Sequence, residues 1–174
     1  MKIVILNGSP RKGNTVTAIQ MFTECAQKRH EVEIVDTYKL NVSACMGCGV
    51  CECRKGCVAN DDSNFIVDKL VDADMIVFAT PVYWCGMTAQ MKLVLDKCYC
   101  KSVQLKNKKV GVIVVGGSPV DNKQYQLIRG QFGCIAEYLK WDILFHKDYC
   151  ASAKDDLMKN EDAIKELKKI GENI

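Results

Sequence analysis

The residues best suited to chemistry are five cysteines crowded into one short stretch of the chain. They are Cys45, Cys48, Cys51, Cys53 and Cys57. The first, second, third and fifth form a C-x2-C-x2-C-x5-C run, and the fourth is an additional thiol. Thiols at such close intervals, with Gly47 and Gly49 between them, permit the tight wrapping of a ferredoxin-type cluster loop. The pattern therefore predicts metal or redox chemistry in this segment.

Other uses of these cysteines stay open. Zinc sites usually pair two C-x-x-C knuckles that lie some distance apart, whereas this run is more compact. Structural or redox-active thiols need no particular spacing and are the simpler alternative. Cys53 also lies close enough in sequence to compete with Cys51 or Cys57 as a ligand.

The second chemically suggestive stretch is a loop of small, hydroxylated and basic residues that follows the first apolar run. It groups the hydroxyls of Ser9 and Thr15, the amide of Asn14 and the guanidinium of Arg11. A loop between a strand and a helix points free backbone N–H groups at an anion. Asn14 stands where a P-loop has its lysine, and no G-x-G-x-x-G is present, which disfavours triphosphates and dinucleotides. The loop therefore suits a single phosphomonoester, or it is an ordinary turn that binds nothing.

Hydrophobic periodicity supplies the elements that must position these residues. Apolar runs predict five strands, at Lys2–Leu6, Glu31–Asp36, Asp74–Ala79, Lys109–Val115 and Trp141–His146. Helical spacing predicts five helices, at Thr15–Ala26, Asp62–Leu70, Met87–Cys100, Tyr125–Lys140 and Lys154–Ile170. Asp61 and Asp62 have the character of residues that begin a helix. Alternation of this kind predicts an α/β fold with a doubly wound parallel sheet.

The topology rule for such sheets brings three loops together. Ligands collect beyond the carboxyl ends of the strands, beside the point where the strand order reverses. The loops after the first, third and fourth strands, residues 8–14, 80–86 and 116–119, are therefore expected at one edge. A long stretch at about residues 38–62 lacks periodicity, and we interpret it as a functional, cysteine-rich insertion in a single domain of residues 1–174.

Four stretches in and directly after these loops resemble a known family. GSPRKGNT resembles the FMN-phosphate loop of the flavodoxin-like NAD(P)H-dependent FMN reductases, and TPVYW, TAQMKLVLDK and VVGGSP resemble later motifs of that family. The resemblance implies a flavodoxin-like, five-stranded parallel sheet of order 2-1-3-4-5 within three α/β/α layers. It also implies FMN as the cofactor.

The same resemblance assigns site residues. The FMN phosphate would be held by Ser9, Arg11, Lys12, Gly13, Asn14 and Thr15. The flavin ring would be lined by Pro81, Val82, Tyr83 and Trp84, with Gly116 and Gly117 on its other side. No side chain is expected to be catalytic, because a flavin itself supplies hydride and single-electron chemistry. His30 and His146 lie in no motif.

The compact cysteine run resembles that of the iron–sulfur flavoproteins, a subgroup of this superfamily. That resemblance implies a [4Fe–4S] cluster near the FMN, with Cys45, Cys48, Cys51 and Cys57 as ligands. The implied protein is an FMN-dependent oxidoreductase that passes electrons between flavin and cluster. NAD(P)H or a ferredoxin-like protein would be its partner, and a homodimer or homotetramer its assembly.

Two other functions keep most of these features. An FMN-only NAD(P)H-dependent reductase of quinones, nitro compounds or flavins needs every loop except the cysteine one. A non-enzymatic, flavodoxin-like electron carrier is the third candidate, although such carriers tend to be strongly acidic and this chain has a net charge of +3.

Composition and the remaining cysteines complete the expectations. The balance of 24 basic and 21 acidic residues, without a long basic block, gives no support for a nucleic acid or membrane partner. The first apolar run is too short for a signal-peptide core, so we expect a cytoplasmic protein. We also expect buried packing for Cys25, Cys98 and Cys134, and for Cys85 beside the ring-lining motif.

Overall fold

Five parallel strands form the centre of the molecule. The computed structural model describes residues 1–53 and 55–174. Its strands are Lys2–Asn7 (β1), Glu31–Asp36 (β2), Met75–Pro81 (β3), Lys109–Gly116 (β4) and Asp142–Cys150 (β5). They pair in the order β2-β1-β3-β4-β5, and every pair is parallel. The flavodoxin-like sheet expected from the sequence is therefore confirmed.

Helices cover both faces of this sheet. They are Asn14–Ala26 (α1), Ser63–Asp72 (α2), Ala89–Lys97 (α3), Lys123–Leu139 (α4), Asp156–Lys159 (α5) and Glu161–Asn173 (α6). Alternate residues of β1 point to opposite faces, so Ile3 and Ile5 pack with α1, α5 and α6 while Val4 and Leu6 pack with α2, α3 and α4. All four side chains are fully buried, which explains why this strand reads as an unbroken apolar run.

Two predictions about the C-terminal quarter are wrong. β5 does not end at His146 but continues to Cys150. The last helix, expected over Lys154–Ile170, is divided at Asn160 into α5 and α6. Asn160 leaves the helical conformation, with φ −90° and ψ 89°, and its side chain accepts a hydrogen bond from the backbone N–H of Ala163 to cap α6.

The segment between β2 and α2 has little regular structure, as expected from its lack of periodicity. Two short 3-10 turns, Thr37–Lys39 and Val50–Cys53, interrupt it. Expectations about Cys53 as a competing ligand concern a side chain outside the described part of the structure. None of the helices formed by residues 1–53 and 55–174 has the length and apolarity that a membrane span requires.

Two helical glycines make a paired test of this packing. A Cβ at Gly171 of α6 would overlap the carbonyl oxygen of Phe22 in α1, whereas a Cβ at Gly130 of α4 would meet nothing within 4 Å. We expect Gly171→Ala to lower the free energy of unfolding by about 1–3 kcal/mol because the two helices must separate. Gly130→Ala is expected to raise it by about 0.5–1 kcal/mol. Urea unfolding of both variants checks the pair, and equal effects would contradict the close contact of α1 with α6.

Candidate functional site

A cavity of about 370 Å³ opens at the carboxyl edge of the sheet, where the sequence predicts a ligand site. Every predicted cofactor residue except Trp84 lines it. Lining residues that the sequence did not predict are Val115, Ala151, Ser152, Ala153 and Lys154. The three expected loops therefore meet, and a fourth loop, after β5, joins them.

The loop that leads from β1 into α1 forms one end of the cavity. Ser9 Oγ accepts a hydrogen bond from the backbone N–H of Arg11 and donates one to the carbonyl oxygen of Arg11, at 3.3 and 3.1 Å. The Ser9 backbone N–H donates to Asn7 Oδ1 at 3.0 Å, which folds the loop back over the strand. α1 begins at Asn14, and the first N–H groups of a helix have no partner within it. This end of the cavity therefore presents N–H donors and the positive end of a helix dipole.

Gly8 is needed because the loop passes very close to α3. Its N–H donates to the carbonyl oxygen of Ala79 at 2.8 Å, and its own carbonyl accepts from Thr88 Oγ1 at 2.9 Å. A Cβ at this position would lie 2.9 Å from that same hydroxyl oxygen. Glycine thus lets β1, β3 and α3 hold the loop in place.

The charge of the cavity favours an anion. Arg11, Lys12 and Lys154 contribute exposed cationic side chains, and the described lining residues include no carboxylate. Pro81, Val82 and Tyr83 supply apolar surface beside them. A cationic end next to an apolar wall fits a ligand with a phosphate and a flat aromatic ring.

The ring-lining motif ends in a tight hairpin. Tyr83 and Gly86 exchange backbone hydrogen bonds of 2.8 and 3.0 Å across Trp84 and Cys85. Both residues at the tip have positive φ, 46° and 64°, a conformation that costs energy for residues other than glycine. Trp84 is fully exposed and does not line the cavity. Cys85 is exposed as well, so its expected burial is wrong.

The glycines after β4 have different neighbours. A Cβ at Gly116 would lie 2.7 Å from Tyr125 Oη and 2.9 Å from Val82 Cγ2, so this glycine allows internal packing beneath the cavity wall. Gly117 faces the side chain of Ser152, at 3.4 Å from the position of a Cβ. Of the two, Gly117 borders the loop that the sequence missed.

That fourth loop is fastened by Asn14. The side-chain amide of Asn14 donates to the carbonyl oxygens of Ala151 and Ala153, at 3.4 and 2.8 Å, and its oxygen accepts from the N–H of Leu157 at 3.1 Å. The N–H of Ala151 also donates to the carbonyl oxygen of Gly116 at 2.7 Å. In this arrangement the Asn14 side chain holds the wall of the cavity, while its predicted bond to a phosphate stays a prediction.

Two adjacent carboxylates close the base of the cysteine segment, the cysteine-rich stretch at about residues 38–62. Asp61 accepts hydrogen bonds from the N–H and hydroxyl of Ser43, and from the N–H of Ser63. Asp62 accepts from the N–H of Asn41 at 2.7 Å. Although Asp62 is the N-cap residue of α2 by position, its side chain makes no capping bond. The two residues therefore join the start of the segment to its end.

Replacement of Asp61 is expected to loosen this closure. Burial alone would raise the pKa of Asp61, but hydrogen bonds from Ser43 and Ser63 outweigh it and hold the pKa well below its ordinary value. Asp61→Asn is expected to lower the free energy of unfolding by about 1–2 kcal/mol at pH 7. Because the folded pKa is depressed, this contribution is complete above the unfolded pKa of about 4 and declines as pH falls below it.

Urea unfolding at pH 7 and pH 3 checks this expectation. Asp72→Asn, at an exposed position of α2, is the matched control and should change stability little at either pH. If Asp61→Asn lowered the free energy of unfolding as much at pH 3 as at pH 7, the role given to the carboxylate would be contradicted.

The four predicted ligand cysteines line a second cavity, of about 310 Å³. Its walls include Cys45, Cys48, Cys51 and Cys57, together with Gly47 and Gly49 in the left-handed conformation. Burial raises the pKa of the Cys51 thiol, and the nearby Cys48 thiol adds to the shift. Among the side chains of residues 1–51 and 55–174, however, no three of Cys, His, Asp or Glu are arranged so that they could hold a metal ion. The donor set and cavity fit a four-thiolate centre, although the thiols are not gathered as in a formed one.

The other cysteines lie elsewhere. Cys25 and Cys98 are buried in the core as expected, and burial raises the pKa of Cys98 to about 12. Cys134 is exposed, so its expected core position is wrong.

Comparison with known proteins gives a consistent result. Residues 1–130 match the model of the NADPH-dependent FMN reductase family. The chain is 38% identical over 123 residues to an iron-sulfur flavoprotein of Methanosarcina thermophila, in an alignment covering 68% of this chain and 64% of the relative. For an iron-sulfur flavoprotein of Methanocaldococcus jannaschii the identity is 33% over 122 residues, covering 68% and 63%. These alignments span less than two thirds of the relatives' own length.

Solved structures share the fold. A flavone reductase superposes with a TM-score of 0.76 at 21% identity, covering 100% of this chain and 62% of that chain. At this identity the likeness concerns the fold alone.

Proposed function

The chain belongs to the NADPH-dependent FMN reductase family, and from that premise we propose that it is an FMN-dependent oxidoreductase whose cysteine segment holds a [4Fe–4S] cluster. The observation that carries the flavin part is the cavity at the carboxyl edge of the sheet. Its lining brings together nearly all the residues that the family motifs assign to FMN. Similarity to proteins named iron-sulfur flavoproteins supports the cluster.

The chain's own residues divide the work of holding FMN. Arg11 and the first N–H groups of α1 would bind the phosphate, while Ser9 keeps the backbone of the loop turned toward it. Pro81 and Val82 would pack against the ring and exclude water from one side of it. The bound flavin would supply hydride exchange with a nicotinamide and single-electron exchange with a cluster.

The cysteine segment would contribute the ligands of the cluster. Cys45, Cys48, Cys51 and Cys57 would provide the four thiolates, and the left-handed glycines between them permit the chain to wrap closely. NAD(P)H or a ferredoxin-like protein would be the electron partner, in a homodimer or homotetramer.

One observation favours a second candidate function. Because the described thiols are not gathered into a metal-binding group, an FMN-only NAD(P)H-dependent reductase of quinones, nitro compounds or flavins is the alternative. A flavodoxin-like carrier without enzymatic turnover is a third, and turnover of NADH or NADPH that is independent of salt would argue against it.

The decisive experiment is the visible spectrum of anaerobically purified protein, with iron and zinc counted on the same sample. We expect flavin bands above a broad absorbance that reduction bleaches, and about four irons per chain. Cys48→Ser should lose the iron and keep the flavin. Cys134→Ser, which removes an exposed thiol outside the segment, should keep both.

Other outcomes identify the alternatives. Flavin without iron in the unmodified protein would indicate the FMN-only reductase. Zinc in place of iron would indicate a structural site, and a protein without flavin would overturn the whole proposal.

A further inference from the structure

Lys97, in the last turn of α3, is a buried cation beside the cysteine cavity. Only 4% of the residue is exposed. Its Nζ donates to Ser43 Oγ at 3.4 Å and to Cys57 Sγ at 3.6 Å, and the residue lines the cavity that the four cysteines share. The hydroxyl of Ser43 itself donates to Asp61, so it meets Lys97 as an acceptor.

The neighbouring lysines are partnered differently. Lys69, Lys92 and Lys101 pair with Glu33, Asp96 and Asp68, and each of them is more exposed than Lys97. Among the side chains of residues 1–51 and 55–174, Lys97 pairs with no carboxylate. Burial of a cation without an anion is costly, so a charge of opposite sign is expected where its ammonium group points.

We infer that Lys97 is the charge-compensating residue of an anionic thiolate centre in the cysteine cavity. This inference rests on the proposed cluster. A [4Fe–4S] core held by four thiolates is negative, and its negative charge increases when it accepts an electron. The ammonium group beside Cys57 stabilises the more negative state most, because the attraction grows with the charge.

The consequence concerns electron transfer from reduced FMN. One electron leaves the flavin and enters the cluster, without any bond to Lys97 being formed or broken. Since Lys97 favours the cluster that has received the electron, it raises the reduction potential and makes this transfer more favourable.

The test compares Lys97→Met with Lys92→Met on anaerobically purified protein that contains iron. Both changes remove one positive charge from α3, but Lys92 is paired with Asp96 and lies outside the cysteine cavity. We expect Lys97→Met to shift the equilibrium against the reduced cluster by about tenfold, which is about 59 mV for a one-electron couple. Lys92→Met should leave it unchanged, and Lys97→Arg should restore it.

Iron-free protein gives an independent measurement. Without the anionic centre the buried charge of Lys97 destabilises the fold. The free energy of unfolding of Lys97→Met, measured in urea, is therefore expected to equal or exceed that of the unmodified protein. If the variant does not fold, Lys97→Gln serves for both measurements. The combination of a stable iron-free variant and a lowered potential is not expected from a purely structural lysine.

The outcomes separate the two proposals. Iron-containing protein with an unchanged potential in Lys97→Met would overturn the inference alone. Unmodified protein without iron would overturn the cluster, and the inference with it.

Discussion

The double variant Ser9→Ala/Arg11→Ala is expected to bind FMN more weakly by about 2–4 kcal/mol, or roughly 30- to 1,000-fold. Arg11 provides a cationic side chain at the end of the cavity where α1 begins. Ser9 acts through the backbone, because both of its side-chain hydrogen bonds go to Arg11 main-chain atoms. Loss of both removes a charge and the turn that directs the N–H groups.

Fluorescence titration with FMN measures this change. Lys106→Ala is the matched control for net charge, since this exposed lysine precedes β4 and lies outside the cavity. The loss of FMN affinity caused by Arg11→Ala should become smaller as salt is raised, whereas the loss caused by Ser9→Ala should not. Unchanged retention of FMN by the double variant through gel filtration would refute the phosphate assignment.

Single replacements of Arg11 and Ser9 separate the contribution of charge to FMN affinity from that of loop conformation. Arg11→Lys keeps a positive charge but lacks the forked donors, so we expect it to recover part of the affinity. Ser9→Ala alone should weaken binding without changing its dependence on salt.

The sequence predicts strands correctly where they are apolar and buried on both faces. β1 is enclosed on both faces, so Ile3 to Leu6 form an uninterrupted apolar run that ends at the site. The loops after β1, β3 and β4 could be placed together by topology alone, because parallel strands deliver their carboxyl ends to one edge. The cavity there confirms that the three loops meet.

The same reasoning failed at β5 because its second half is polar. His146 and Asp148 are buried there by pairing with each other, and Arg129 of α4 also pairs with Asp148. Polar residues that satisfy one another inside a protein resemble a loop in the sequence. The end of the strand, and with it the loop at residues 151–154, therefore could not be assigned to the site.

The carboxylates of the cysteine segment show a related limit. Asp61 and Asp62 stand where helix-capping residues are expected, and the sequence alone favours that interpretation. Asp61 does accept a hydrogen bond from the N–H of Ser63 at the start of α2, but both side chains also reach back about twenty residues, to Ser43 and Asn41. Such long-range partners leave no local pattern, although a pair of acids at the end of a functional segment is a signal that could be sought.

Asn14→Ala is expected to have the second large effect, a loss of about 2–4 kcal/mol in the free energy of unfolding of FMN-free protein. Its side chain makes three hydrogen bonds to residues more than 130 positions away. Removing it leaves two carbonyl groups and one N–H without these partners, and each loss costs about 1 kcal/mol. Asn14→Asp should be no better, because a carboxylate would face the carbonyl oxygens of Ala151 and Ala153.

Urea unfolding without FMN is the measurement, since bound ligand would add its own stabilisation. Asn173→Ala is the matched control: that side chain makes one hydrogen bond, to a carbonyl in its own helix, and we expect a loss of less than about 0.5 kcal/mol. The result also separates two roles of Asn14. If its main role were to bind the phosphate, Asn14→Ala would weaken FMN binding while the stability of the FMN-free protein stayed unchanged. If Asn14 instead fastens the fourth loop, Asn14→Ala lowers the free energy of unfolding of the FMN-free protein. The affinity for FMN then falls as well, because the wall of the cavity is no longer held in place.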